Sequence, residues 1–120
     1  MSPKVVEWIA SARADLKTFP EDVRDELGFA LYQVQIGQTP VNAKPLRGRL
    51  REVVELIASD PSGTYRVMYT VKIGDVIYVL HAFQKKSRRG IATPKSEIEL
   101  VAQRLRKARL DNDERAGRRG

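Results

Sequence analysis

Residues 50–83 read LREVVELIASDPSGTYRVMYTVKIGDVIYVLHAF, and the period of this stretch decides the fold. Glu52 to Ile57 is a short run rich in β-branched and apolar residues, closed by the turn cluster Ser59-Asp60-Pro61-Ser62-Gly63. Tyr65 to Ile73 and Val76 to Phe83 are two further runs separated by Gly74-Asp75, a two-residue hairpin signal. Three sequential antiparallel strands are predicted. Alternation puts Tyr65, Val67 and Tyr69 on one face of the middle strand and Arg66, Met68 and Thr70 on the other. The same rule groups His81 with Val79, Phe83 and Lys85.

Outward from this block the period becomes helical. On the N-terminal side, Val5 to Ile9 reads as a first strand and Ser11 to Lys17 as a short helix. Pro20, Glu21 and Asp22 open a longer helix whose buried stripe is Val23, Leu27, Leu31 and Val34, and Gly37 and Pro40 end it. On the C-terminal side a basic loop, Gln84 to Gly90, leads to a last helix. Thr93 can cap it, Pro94 fits its first turn, and Glu97 and Glu99 precede Arg104, Arg106, Lys107 and Arg109 in the order the helix dipole favours. Ile98, Val101 and Leu105 form its apolar face. The expected class is α+β in the order β-α-α-β-β-β-α, a layer of helices packed on one antiparallel sheet. One domain spans residues 1–110, and the charged, Gly-containing segment 111–120 reads as a disordered tail.

Composition narrows the function classes. The 120 residues contain no cysteine, which excludes a disulfide scaffold, a cysteine nucleophile and thiolate metal sites. No stretch has signal-peptide or membrane-spanning character, so a cytoplasmic protein is expected. Twenty-two Lys and Arg against 15 Asp and Glu give a net charge of +7, which favours a polyanionic or acidic partner. The alternative is simple solubility.

Several residues could carry chemistry. Lys44, Arg47, Arg49 and Arg51 approach the sheet as a basic arm, and Lys85, Lys86, Arg88 and Arg89 leave it. The first run alone is equally well a solvated loop and the second alone reads first as a solvated edge; two runs flanking one sheet suit a phosphate backbone. Arg66 lies mid-strand, where a planar guanidinium is held rigidly enough to bind a phosphate through two oxygens, or to pair with a carboxylate such as Glu55. His81, the only histidine, is either a core residue or a general acid–base. The acids sit mostly on helices and turns, so a metal-dependent nuclease is disfavoured and no metal ligands are assigned.

Lys44-Pro45-Leu46-Arg47-Gly48, Val54-Glu55-Leu56, Tyr65-Arg66-Val67-Met68-Tyr69, the block from Leu80 to Ser87, Thr93-Pro94-Lys95 and Ala102-Gln103-Arg104-Leu105 together resemble one pattern. It is that of the phage-derived, HigB-like branch of the RelE/ParE toxin superfamily, and the resemblance runs from about Val5 to Lys107. The resemblance implies a compact ribonuclease-like fold, a helix-turn-helix (HigA-like) antitoxin that blocks the active face, and cleavage of messenger RNA at the ribosome; separately, no cofactor is expected. Arg66 is similar to the strand arginine used on the scissile phosphate, Lys85 and Lys86 to the basic residues after the last strand, and Lys44, Arg47 and Arg49 to the patch that grips RNA. Nothing after Phe83 is aromatic or histidine, so the family's frequent C-terminal tyrosine or histidine has no counterpart. Lys85, Lys86, His81 and Glu55 then compete for proton transfer. Three other readings stay open: a non-enzymatic inhibitor of gyrase as in the ParE branch, a nucleic-acid-binding module that cuts nothing, and a decayed toxin.

Overall fold

The computed structural model describes residues 2–85 and 93–119. Five strands form one sheet: β1 (Val6–Trp8), β2 (Ala43–Pro45), β3 (Val54–Asp60), β4 (Gly63–Thr70) and β5 (Ile77–Lys85). Their spatial order is β1-β5-β4-β3-β2. The meander β3-β4-β5 is antiparallel, as expected from residues 50–83. β1 joins its open edge in parallel, Val6 opposite Ile77, and the short β2 covers the other edge. The helices are α1 (Ala12–Leu16), α2 (Glu21–Gln35) and α3 (Lys95–Arg119).

Two cores result, one on each face of the sheet. Val23, Leu27, Leu31 and Val34, the predicted stripe of α2, pack with Leu56, Tyr65, Val67 and Val79. Val101 and Leu105 of α3 pack with Val53, Met68, Tyr78 and Leu80 on the opposite face. The helices therefore do not form a single layer on the sheet, because β4 and β5 are apolar on both sides and each side requires a cover.

Several local expectations change for identifiable reasons. The β4–β5 connection is not a two-residue hairpin. Residues 71–76 form it, and both Ile73 and Val76 fold down into the α3-side core, which a tight turn would not allow. The basic arm is not a loose loop: Lys44 lies in β2, and the 3₁₀ turn Gly48–Leu50 is pinned by Leu50, 4% exposed in the same core. Pro20 stands one residue ahead of α2, and Gly37, at φ +86°, closes that helix with its amide on the Val34 carbonyl.

α3 runs on to Arg119, through the segment whose composition suggested disorder. A fixed anchor explains this. The buried Tyr78 hydroxyl donates to Asp111 Oδ2 at 2.8 Å, and Arg115 bridges from that same oxygen to Glu7 at 2.8 Å each. Burial, then the Asp111 hydrogen bond, pushes the Tyr78 phenol up to about 12, while the Asp111 carboxyl is held below its ordinary range by the Tyr78 and Arg115 hydrogen bonds. Charge-rich sequence becomes ordered here because its charges have fixed partners.

Candidate active site

The site is assembled on the α3 face of β3, β4 and β5. Side chains of cross-strand partners share a face. Glu55 stands opposite Met68 on one side and Lys44 on the other, and Met68 stands opposite His81. One rung further along, Ile57, Arg66 and Phe83 align, followed by Thr64 and Lys85.

That alignment depends on a bulge. Met68 pairs with His81 but Tyr69 pairs with Val79, so Leu80 is an extra residue in β5. Strict alternation groups His81, Phe83 and Lys85 with Val79, whose side chain lies in the α2-side core. The extra residue reverses the parity. His81 follows Leu80 onto the α3 face instead, and Phe83 and Lys85 follow, which brings them to the face that carries Arg66.

Arg66 is 7% exposed and donates from an NH1 nitrogen to Glu55 Oε1 at 2.6 Å. The carboxylate partner suggested by the sequence is thus in place. The other Glu55 oxygen accepts from the Thr93 hydroxyl at 3.1 Å, which ties the approach to α3 onto the sheet. Arg66 Nε is buried with no hydrogen-bond partner among the described residues. Lys85, 8% exposed, sits beside this pair. Its burial, then the neighbouring Arg66 charge, lowers its pKa, and Glu55 only partly opposes the fall. Two cations therefore share one buried carboxylate.

His81 is held from both sides. Arg104 donates to its Nδ1 at 3.1 Å, which fixes the ring proton on Nε2, and Nε2 donates to Glu97 Oε2. Arg104 also reaches the Leu80 carbonyl at 3.0 Å and the Ser11 hydroxyl at 3.1 Å, and Ser11 donates to Asp15 at 2.8 Å. With both nitrogens engaged, His81 is an oriented plate rather than an open acid–base. The Phe83 ring stacks on it, centroids 4.8 Å apart and planes 17° from parallel.

Arg47, Arg49 and Arg51 are exposed around the 3₁₀ turn, and Lys44 is exposed on β2. Lys86, Arg88 and Arg89 lie outside the described residues. The structure brings together Arg66, Glu55, Lys85 and His81, and adds Thr93, Glu97, Arg104 and Phe83. Glu97 and Arg104 are seven residues apart, two helical turns on one face, and that spacing was the available signal.

A RelE-type fold with paired cations on one sheet face is the class these features define. The chain belongs to the phage-derived protein Gp49-like family, whose model matches residues 14–106. Among solved structures, a double arginine-to-alanine variant of the E. coli toxin RelE in its free state superposes with a TM-score of 0.55. It has 17% identity to this chain, and the match covers 89% of this chain and 98% of that one. The chain is also similar to one from the Mycobacterium tuberculosis toxin–antitoxin complex RelBE2, at 25% identity and a TM-score of 0.49, covering 69% of this chain and 99% of that one. No curated protein matches the sequence significantly.

Proposed function

We propose that this chain is the toxin of a type II toxin–antitoxin pair and acts as a metal-independent endoribonuclease on messenger RNA at the ribosome. The supporting observation is the surplus of positive charge on a fixed surface: Arg66 and the neighbouring Lys85 have one buried carboxylate, Glu55, between them. A phosphodiester is the natural fourth member, since it replaces the missing negative charge and accepts from Arg66 Nε, which has no partner among the described residues. Family membership and the RelE fold point the same way, and a helix-turn-helix antitoxin is the partner that resemblance supplies.

The chemistry is transesterification by the RNA itself. The 2′ oxygen forms a bond to phosphorus as the bond from phosphorus to the 5′ oxygen breaks, leaving a 2′,3′-cyclic phosphate and a free 5′-hydroxyl. Lys85 helps to bind RNA as a cation, and in the fraction of complexes in which its lowered pKa leaves the amine neutral it accepts the 2′-hydroxyl proton and then passes it to the departing 5′ oxygen. Arg66 stabilises the dianionic phosphorane. Glu55 holds the guanidinium in place until RNA arrives. His81, with both ring nitrogens occupied, positions the surface and does not transfer the proton. Lys44, Arg47, Arg49 and Arg51, together with Lys86, Arg88 and Arg89, hold the message.

The test is cleavage of ribosome-bound message by purified protein, read by primer extension in chelator, with folding checked by circular dichroism. Arg66→Ala should lose on the order of 10²–10³ in rate, the usual cost of deleting a transition-state donor, with Arg66→Lys partly active. A 2′-deoxy nucleotide at the cut site should resist cleavage. Full activity in folded Arg66→Ala, or activity restored only by added magnesium, overturns the mechanism. Induced cells that stop replicating DNA before they stop making protein overturn the function.

A further inference from the structure

We propose that the groove between α1 and α3 is a nucleobase subsite floored by Phe83 and selective for a base with an exocyclic amine, guanine above uracil. This rests on the ribonuclease reading and names the part of the substrate that the cations do not hold. The groove encloses about 520 Å³, and its lining includes Asp15, Thr18, Phe83, Lys85, Ser96 and Glu97. That volume suits a nucleotide, within the ~300–1,000 Å³ typical of small-ligand sites.

Three observations converge. First, the Phe83 ring is laid flat on His81, and His81 is clamped by Glu97 and Arg104. A stacking surface whose support is fixed on both sides loses little freedom when a base settles on it. Second, Phe83 is the cross-strand partner of Arg66, and Lys85 follows two residues later. A phosphodiester gripped by Arg66 therefore has its base beside the Phe83 ring. Third, the groove contains two carboxylates, Asp15 and Glu97, each already oriented by a donor, Ser11 and His81 respectively. Carboxylates accept from the amine-bearing edges of bases. Guanine offers two adjacent N–H groups to such an acceptor, whereas uracil flanks its single N–H with carbonyl oxygens that a carboxylate repels.

The experiment titrates the full chain with guanosine 3′-monophosphate and uridine 3′-monophosphate, with affinities from calorimetry and the Phe83 ring followed by NMR. The guanosine nucleotide should bind at least about fivefold more tightly and shift the Phe83 ring protons upfield. Phe83→Leu should weaken it by at least about fivefold, the lower end of a base–aromatic stack, while Phe83→Tyr retains it. Glu97→Gln and Asp15→Asn should narrow the guanosine-over-uridine ratio with the fold unchanged by NMR. Equal affinity for both nucleotides, an unshifted Phe83 ring, or full binding by Phe83→Leu overturns the subsite. The two readings fail separately. Selective binding at Phe83 with no cleavage of any RNA removes the ribonuclease and keeps the subsite, whereas Arg66-dependent cleavage without selective binding removes only the subsite.

Discussion

Removing either half of the Glu55–Arg66 pair should cost far more than removing both. The two groups are 3% and 7% exposed and meet at 2.6 Å, with Ile57, Met68 and Phe83 on the surrounding rungs. Glu55→Leu strands a buried guanidinium, and Arg66→Met strands a buried carboxylate, each a loss of about 3–5 kcal/mol. Such a loss is a large share of the ~6–18 kcal/mol that a domain of this length holds at ~0.05–0.15 kcal/mol per residue. The double variant Glu55→Leu/Arg66→Met replaces the pair with apolar groups against Ile57, Met68 and Phe83. It should stand closer to the wild type than either single variant does, a coupling of at least ~2 kcal/mol. Urea unfolding at neutral pH with a shared m-value measures the cycle. A double variant whose loss equals the sum of the singles would show that the two side chains are energetically independent, and the account of how Arg66 is held would fail. The milder Glu55→Gln removes the neighbour that, among the described residues, supports the Lys85 charge, so the Lys85 pKa should fall further, and NMR titration of its Nζ would register the change.

Tyr78 makes stability sensitive to alkali. Its folded pKa is raised to about 12 from 10.0, so its contribution is complete below 10 and is lost as pH climbs through 12; Tyr78→Phe should flatten the stability curve in that window, measured by chemical unfolding against pH. Truncation after Leu110 removes Asp111 and Arg115 and leaves the Tyr78 hydroxyl buried without its acceptor. It should cost about 1–3 kcal/mol, seen as a lower Tm, and an unchanged Tm would mean that the end of α3 contributes nothing.

Much of this architecture could be read from residue order because its signals are periodic. The β3-β4-β5 meander follows from period-two runs with turn residues between them, and the α2 stripe from Val23, Leu27, Leu31 and Val34. The Arg66–Glu55 pair was legible because the middle run held a lone guanidinium and the neighbouring run carried Glu55 among its few charged residues. Features set by a single residue or by distant partners were not. The six-residue β4–β5 connection depends on Ile73 and Val76 finding a core on the far face, and the ordered end of α3 on Tyr78 lying 33 residues earlier in the chain. The clamp on His81 joins β5, α3 and the start of α1, which no local window contains.

Leu80, the surplus residue of β5, has a bearing on how such a chain can diverge. Ordinary substitutions along that strand change what one position presents and leave every neighbour where it was. Gaining one more residue between Tyr78 and His81 would instead exchange one face of the sheet for the other along everything that follows in the strand, carrying Phe83 and Lys85 away from the face that holds Arg66. Length changes here should therefore be far rarer among working relatives than changes of side chain, and a library that varies spacing at this point would separate folded from unfolded members more sharply than one that varies identity.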